Sequence, residues 1–285
     1  MKARAFAYAR PRTLDDAHAA FAAAEGDASY ISGGQSLVPA LAMRLQAPQV
    51  LVDLAGIEAL RGVRLEGDWL RIGALTRHAD ALTDPLIRAH APLLSAAAPF
   101  VAHPAIRNRG TLGGSVALAD PASEFPAMML AMGAEMEIFG PEGLRRVPAD
   151  DYFQDLYQTA IVPGEILVAL HVPVVGPRRC WAFDELARRR GDYAMVGGGI
   201  LAERDGGRIG ALRIAFFSVG PTPMRARAAE AVLTGRVPDA DAIADAQRAL
   251  DADIDPLDDE EVPAPMRRHL ARVLLGRLVR KLEIA

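Results

Sequence analysis

One stretch in the middle of the chain constrains the fold more than any other. Residues 107–126, RNRGTLGGSVALADPASEFP, show no clean helical or strand period and lie between helix-like segments at 85–101 and 124–132. Loops of this length inside a compact domain are usually either functional or disordered. Leu112 and Val116 make this stretch too apolar to remain disordered. The sequence therefore predicts an ordered loop with a function.

The composition of this loop indicates an anion site. It contains Gly110, Gly113 and Gly114, with hydroxyl side chains at Thr111 and Ser115. Glycines allow a backbone to approach a ligand closely, and consecutive N–H groups can form an anion-binding nest. Together with the hydroxyl donors, this pattern suits a phosphate or pyrophosphate.

An earlier segment has the same chemistry. It follows a strand-like run at 28–31, precedes a helix-like run at 37–45, and consists of Ser32, Gly33, Gly34, Gln35 and Ser36. A glycine pair between strand and helix places free N–H groups at a helix N-terminus, where an anion is favoured. Each Gly-Gly taken singly also fits a plain turn, whereas the pair of loops favours one pyrophosphate held between them. Neither loop has the P-loop or the dinucleotide-binding glycine pattern.

Hydrophobic periodicity gives the order of the remaining elements. Strands are predicted at 6–8, 28–31, 50–54, 63–65, 69–72, 134–139, 144–147 and 166–172, and helices at 14–24, 37–45, 77–82, 85–101 and 124–132. The first three strands and their helices are expected to form a β-α-β-like opening, with Thr13 as the cap of the first helix. Two hairpins are predicted, with turns at 66–68 and 140–143. Beyond a Pro- and Gly-rich boundary at 173–179, strands are predicted at 181–187, 196–203 and 208–219, then helices at 224–233, 240–251 and 266–282. The last helix is expected to bury one face, formed by Met266, Leu270, Val273, Leu274 and Leu278. Residues 197–199, Gly-Gly-Gly, are interpreted as strand glycines packed against another backbone, because no helix signal follows them.

Composition excludes several classes of protein. The 285 residues indicate about two domains, and a net charge of −4 argues against nucleic acid as a main partner. No apolar run reaches the ~18 residues that span a membrane, and the N-terminus lacks the apolar core of a signal peptide, so the cytoplasm is expected. The single cysteine, Cys180, permits no intramolecular disulfide, and an iron–sulfur cluster of the usual kind needs about four thiolates. The six histidines lack metal-ligand spacing, so no metal site is predicted.

Four sequence blocks resemble one family. SGGQSLVPALAMRLQAP followed by LVDL resembles the first flavin loop of the medium, FAD-binding subunit of molybdenum hydroxylases, and especially of the carbon monoxide dehydrogenase type. AIRNRGTLGGSVALADPASEFPA resembles the second flavin loop of that family. RRRGDYAMV and VGPTPMRARAAE resemble parts of its C-terminal domain. The order and spacing of the blocks agree over nearly the whole chain.

The resemblance implies an α+β fold. Its first part, residues 1–175, is then an FAD-binding domain of the p-cresol methylhydroxylase type, with two α+β subdomains at about 1–55 and 56–175. Its second part, residues 176–285, is then a C-terminal flavoprotein domain with a three-stranded antiparallel sheet and a helix bundle.

The resemblance also implies which residues bind FAD. They are Ser32, Gly33, Gly34, Gln35 and Ser36 of the first loop, Thr111, Leu112, Gly113, Gly114 and Ser115 of the second, and Glu124, Leu167 and Tyr193. Tyr193 is expected to cover the flavin ring, although by itself it would also fit a half-buried tyrosine at a strand end. Gln35 replaces a common histidine, and Leu118 replaces a common Asn or His. No catalytic residue is nominated.

The implied activity is electron transfer inside a larger oxidoreductase. A small subunit with [2Fe–2S] clusters and a large molybdopterin subunit are the expected partners, in a dimer of heterotrimers with at most peripheral membrane association. FAD would pass electrons to quinone, NAD or oxygen. One alternative is a self-sufficient FAD-dependent oxidase of the same fold superfamily, although the small C-terminal part leaves little room for a substrate pocket. A non-enzymatic nucleotide-binding module is a further alternative.

Overall fold

The chain opens with a small parallel sheet, as the sequence predicts. In the computed structural model, which describes residues 2–282, the strands are β1 (Ala7–Ala9), β2 (Ala28–Ile31) and β3 (Val50–Asp53), in the order β1-β3-β2. The crossover helices are α1 (Leu14–Ala22) and α2 (Leu37–Met43). Thr13 begins α1, because its hydroxyl accepts a hydrogen bond of 3.1 Å from the amide of Asp16. This β-α-β arrangement brings the end of β2 directly to the first glycine segment.

A five-stranded antiparallel sheet follows. The strands of the second part are β4 (Val63–Glu66), β5 (Trp69–Gly73), β6 (Glu135–Gly140), β7 (Gly143–Pro148), the short pair β8 (Phe153–Asp155) and β9 (Gln158–Thr159), and β10 (Ile166–Pro173). The five-stranded order is β4-β5-β10-β6-β7, and both predicted hairpins are confirmed. One face buries Leu70, Ile72 and Leu170 in the main core. The opposite face carries a buried Arg71 beside Glu137, at 3.2 Å.

Short helices cover the apolar face of this sheet. They are α3 (His78–Thr83), α4 (Pro85–His90), α5 (Pro92–Ala97), α6 (Pro104–Arg107), α7 (Leu112–Leu118), α8 (Glu124–Met132) and α9 (Ala149–Tyr152). The prediction of one helix over 85–101 is wrong, because the chain breaks at Ala91, where φ is −133° and ψ is 55°. Pro92 disfavours a helical Ala91 and has no N–H to continue the ladder. The central stretch is not a plain loop either, since it contains α7.

The C-terminal part is an antiparallel sheet backed by helices. Its strands are β11 (Arg179–Leu186), β12 (Val196–Asp205), β13 (Arg208–Phe217) and β14 (Met224–Arg225), and its helices are α10 (Arg227–Leu233), α11 (Ala240–Ala249) and α12 (Ala264–Lys281). The three predicted strands are confirmed, and the two-residue β14 adds a fourth where the helix over 224–233 was predicted to begin. The predicted face of α12 is partly wrong, because Met266 is 52% exposed whereas Leu275 and Val279 are buried. This helix packs against both the sheet and α11, so it buries a wider face than one apolar stripe.

The two parts of the chain pack closely through α8. This helix contacts β12 and β13, and a Cβ on Gly199 would lie 2.6 Å from the sulfur of Met128. Residues 197–199 are confirmed as strand residues of β12, but the predicted packing against another backbone is wrong for Gly197 and Gly199, whose Cβ positions face the side chains of Phe217 and Met128. Asp150 of the first part also pairs with arginines of the second, at 2.7 Å from both Arg213 and Arg227. These contacts hold the C-terminal sheet beside the central glycine segment.

Candidate functional site

The two glycine segments meet, as the sequence predicts. We call residues 32–36 the first glycine loop and residues 110–115 the second glycine loop. The hydroxyl of Thr111 donates a hydrogen bond of 3.2 Å to the hydroxyl of Ser32. A Cβ on Gly33 would overlap the carbonyl oxygen of Arg109, so only glycine permits this approach. Residues about 80 positions apart in the sequence therefore form one site.

We call the amides of the first glycine loop open, because their N–H groups donate to no acceptor in the described part of the protein. Within residues 2–282, the N–H groups of residues 33–36 have no hydrogen-bond partner. Gly34 has a positive φ of 72°, which turns the chain from β2 into α2. The Gln35 side chain donates to the carbonyl of Gly33 at 3.1 Å and so leaves the loop amides unoccupied. Successive open N–H groups at this position suit an anion.

The amides of the second glycine loop, in contrast, already donate hydrogen bonds within the protein. The four N–H groups from Leu112 to Ser115 all donate to acceptors in the protein, at 2.8–3.1 Å. The prediction of a nest of free N–H groups in this loop is therefore wrong. A Cβ on Gly113 would lie 2.5 Å from the Cβ of Ala74, so this glycine serves close packing. The acceptors are the carbonyls of Thr76, Ala74 and Thr111 for Leu112, Gly113 and Ser115, and the hydroxyl of Thr111 for Gly114.

A buried histidine supports the second glycine loop. The Nε2 of His78 lies 2.9 Å from the carbonyl oxygen of Thr111 and donates to it, and the His78 amide donates to the Gly110 carbonyl at 3.0 Å. Burial lowers the pKa of His78 to about 4, so the imidazole is neutral at physiological pH. The ring also packs on Phe125, with centroids 4.8 Å apart. Sequence reasoning missed His78, because nothing in the sequence distinguishes it from the other histidines.

A cavity of about 310 Å³ opens beside the joined loops. Arg77 and Arg109 line it, both are exposed, and neither guanidinium has an ion pair within the described part of the chain. Its volume is at the lower end of the ~300–1,000 Å³ typical of ligand sites. The complete lining is Ser32, Gly33, Ala55, Arg77, Asn108 and Arg109.

Beyond the second glycine loop lies Tyr193, together with the acidic residues Asp120, Glu124 and Glu185. The ring of Tyr193 is exposed, at 72%, and its hydroxyl donates to the buried carboxylate of Asp120 at 3.1 Å. The residue lies between β11 and β12 rather than at a half-buried strand end, so the ring face is free to stack on a planar ligand. Burial, with the charges of Glu185 and Asp120, raises the pKa of Glu124 to about 8. Burial and Asp184 raise the pKa of Glu185 to about 7.

Leu167 differs from the other predicted site residues. Its side chain is 6% exposed and belongs to the main core, so it offers little surface to a ligand. The register of β10 shifts between Leu167 and Ala169. Such bulges often occur next to functional sites. A role for Leu167 in cofactor binding stays a prediction.

The residues present fit FAD. The open amides and the two unpaired guanidinium groups suit its diphosphate, and the exposed Tyr193 suits its ring system.

No helix within residues 2–282 combines the length and the apolar character needed to cross a membrane.

Comparison with known proteins agrees with this chemistry. Residues 4–175 match the family model described as the FAD binding domain in molybdopterin dehydrogenase, and residues 181–282 match the CO dehydrogenase flavoprotein C-terminal domain. The chain is 37% identical to the carbon monoxide dehydrogenase medium chain of Afipia carboxidovorans, over 97% of this chain and 96% of that one. It is 36% identical to the caffeine dehydrogenase subunit beta of a Pseudomonas species, over 98% and 95% of the two chains. The solved carbon monoxide dehydrogenase of Hydrogenophaga pseudoflava superposes with a TM-score of 0.96 at 36% identity, covering 98% of each chain.

Proposed function

Since the chain belongs to the family of FAD-binding subunits of molybdenum hydroxylases, we propose that it is the electron-transfer subunit of a complex of three kinds of chain. A small subunit with [2Fe–2S] clusters and a large molybdopterin subunit are the proposed partners, assembled as a dimer of heterotrimers. Two observations support this: several relatives are named as medium chains or subunits, and the one cysteine of this chain is too few for a cluster. The complex would be similar to carbon monoxide dehydrogenase, or would be a related hydroxylase of aromatic compounds, aldehydes or purines.

The observation that carries the proposal is the junction of the two glycine loops. The open amides of residues 33–36 would hold the diphosphate of FAD, and Thr111 joins both loops through its bond to Ser32. Tyr193 would lie against the flavin ring, with its hydroxyl fixed by Asp120. FAD, when bound, supplies the redox chemistry. The chain itself binds and orients the cofactor and needs no acid or base of its own.

In the proposed complex, the large molybdopterin subunit oxidises the substrate and this chain does not. The cavity at the loops, about 310 Å³, is lined mostly by polar residues and glycine rather than by the apolar walls of a substrate pocket. Electrons would leave FAD for quinone, NAD or oxygen. We also propose a domain boundary at about residues 175–176 and a cytoplasmic location.

A visible absorption spectrum of the purified chain, before and after dithionite, tests this function. We expect a flavin band that bleaches on reduction, together with no substrate oxidation by the chain alone. Turnover by the isolated chain would instead indicate a self-sufficient oxidase. A protein that stays colourless after FAD is added, with and without partner subunits, would contradict the proposal.

A further inference from the structure

We propose that Arg77 and Arg109 form a cationic clamp that holds the diphosphate of FAD over the open amides of the first glycine loop. This inference rests on the proposed function, because it names further residues of the same site. It concerns the anionic part of the cofactor and predicts no role for either arginine at the flavin ring.

The backbone fixes both arginines at the junction of the loops. Arg77 forms an isolated antiparallel bridge with Thr111, the residue that joins the two loops. The carbonyl of Arg109 is so close to Gly33 that a Cβ there would overlap it. The start of each side chain is therefore set by the same contacts that bring the loops together.

The charges around these arginines are not compensated. The six residues that line the cavity include two arginines and no carboxylate. The carboxylate of Asp80 accepts a bond of 2.9 Å from the amide of Arg77, but it forms no ion pair with the guanidinium. Two neighbouring positive charges without a counter-charge repel each other, and an anion between them removes that repulsion.

Other arginines of the chain provide a contrast. Arg145 and Arg213 form close ion pairs, at 2.6 Å with Glu165 and 2.7 Å with Asp150. A second cavity, of about 150 Å³, is lined by one arginine, Arg61, and also by carboxylates. The cavity at the glycine loops thus combines unpaired arginines with open backbone N–H groups.

The two kinds of donor complement each other. Backbone amides are rigid and neutral, whereas a guanidinium group adds a full charge and a planar fork that can hold two phosphate oxygens. A hydrogen bond to a charged group contributes more than a neutral one, so each arginine should strengthen diphosphate binding by roughly tenfold.

The test uses the full-length chain freed of cofactor, in the variants Arg77→Gln, Arg109→Gln and the double variant. Arg88→Gln is the matched control, because Arg88 is an exposed arginine of α4 that does not line the cavity. Dissociation constants for FAD, riboflavin and ADP are measured at low and high salt. In the double variant, we expect FAD and ADP to bind roughly a hundredfold more weakly, with a smaller salt dependence. Riboflavin, which lacks phosphate, should bind equally well to all variants.

A second readout does not depend on the flavin. Inorganic pyrophosphate should raise the melting temperature of the wild-type chain and of Arg88→Gln, but should have little effect on the double variant. Melting temperatures without ligand should agree among all five proteins, which excludes a folding defect.

The outcomes separate this inference from the function on which it rests. If the wild-type chain binds neither FAD nor ADP, alone or with its partner subunits, the proposed function itself fails. If the wild-type chain binds FAD and the double variant binds it with the same affinity and salt dependence, the clamp is wrong and the function stands. Equal weakening of riboflavin and FAD would also overturn the clamp.

Discussion

The two glycine loops have nearly the same composition and different structural roles. Each has a Gly-Gly pair and flanking hydroxyl residues, but the pair precedes α2 in the first loop and lies in the first turn of α7 in the second. The first glycine loop leaves the amides of residues 33–36 open, whereas the second uses the amides of residues 112–115 within the protein. We therefore propose that the first loop receives an anion and that the second loop supports the first. A shared glycine motif does not establish a shared role, because the partners of the N–H groups determine what the motif does.

The surroundings explain this difference. The first glycine loop follows an edge strand of a small parallel sheet, and its amides at residues 33–36 find no acceptor within the described residues 2–282. The second lies against residues 74–78, whose carbonyls at Ala74 and Thr76 accept its amides. Substitutions can therefore separate the two roles: changes in the second loop should affect stability first, and changes in the first should affect FAD binding first.

The largest expected effect is that of Gly113→Ala. The new Cβ would lie 2.5–2.7 Å from atoms of Ala74, inside a buried contact that has no room to relax. We expect a loss of about 3 kcal/mol in the free energy of unfolding, measured by urea denaturation. Gly176→Ala is the control, since its Cβ would meet nothing within 4 Å. A Gly113→Ala protein as stable as the wild type would show that the second loop is not a packed support.

Thr111→Val comes next. It removes the hydroxyl that accepts from the Gly114 amide and donates to Ser32, so both the cap of α7 and the link between the loops are lost. We expect a loss of about 1–2 kcal/mol in unfolding free energy, together with weaker FAD binding by fluorescence titration.

Thr13→Val gives the matched comparison for that variant. Thr13 caps α1 in the same manner, through the Asp16 amide, but lies away from both loops. It should cost similar stability and leave the FAD affinity unchanged. Equal FAD affinities in the two valine variants would mean that the link from Thr111 to Ser32 is unimportant for the cofactor.

Gly34→Ala should be milder for stability and specific for the cofactor. A residue with a side chain at a φ of 72° costs about 1 kcal/mol, and its Cβ would press on Val38 at 3.1 Å and displace the open amides. Gly26→Ala, at a φ of 90° with nothing within 4 Å of its Cβ, should cost similar stability. Only Gly34→Ala should weaken FAD binding, and an equal FAD affinity in both variants would contradict the assigned role of the first loop.

A separate prediction concerns the dependence of stability on pH. Burial raises the pKa of Glu124 to about 8 in the folded protein, above the usual value of 4.5 for a glutamate. The folded state therefore holds a proton that the unfolded state releases, and stability should fall as the pH rises from about 4.5 to about 8. Glu124→Gln should flatten this part of the profile of melting temperature against pH, and Glu185 should leave a remainder below about 7.

Glu142→Gln serves as the control for that profile. Glu142 is exposed in the turn between β6 and β7, so its removal should leave the wild-type slope unchanged. A Glu124→Gln variant with the same slope as the wild type would mean that burial of this carboxyl does not govern the pH response.

Much of the fold follows from local sequence signals. The Thr13 cap, the hairpins around residues 67 and 141 and the three long C-terminal strands were all predictable, because turn residues and periodic patterns act over a few positions. Pro92 also indicates the break at Ala91, because a proline disfavours a helical residue before it. The prediction of one helix over 85–101 did not take this into account. The helix α8 lies where the sequence predicts it, at 124–132, although its residues 125–132 are all buried and show no amphipathic period.

The candidate site divides in the same way. The sequence alone determined where the glycines and hydroxyls lie, and the resemblance of its four blocks determined the family and the cofactor. Only the tertiary structure decided which amides remain open, that His78 supports Thr111, and that Arg77 and Arg109 share one cavity. The physical reason is that a residue type fixes which hydrogen bonds a group can form, whereas packing between segments far apart in sequence decides which of them it does form.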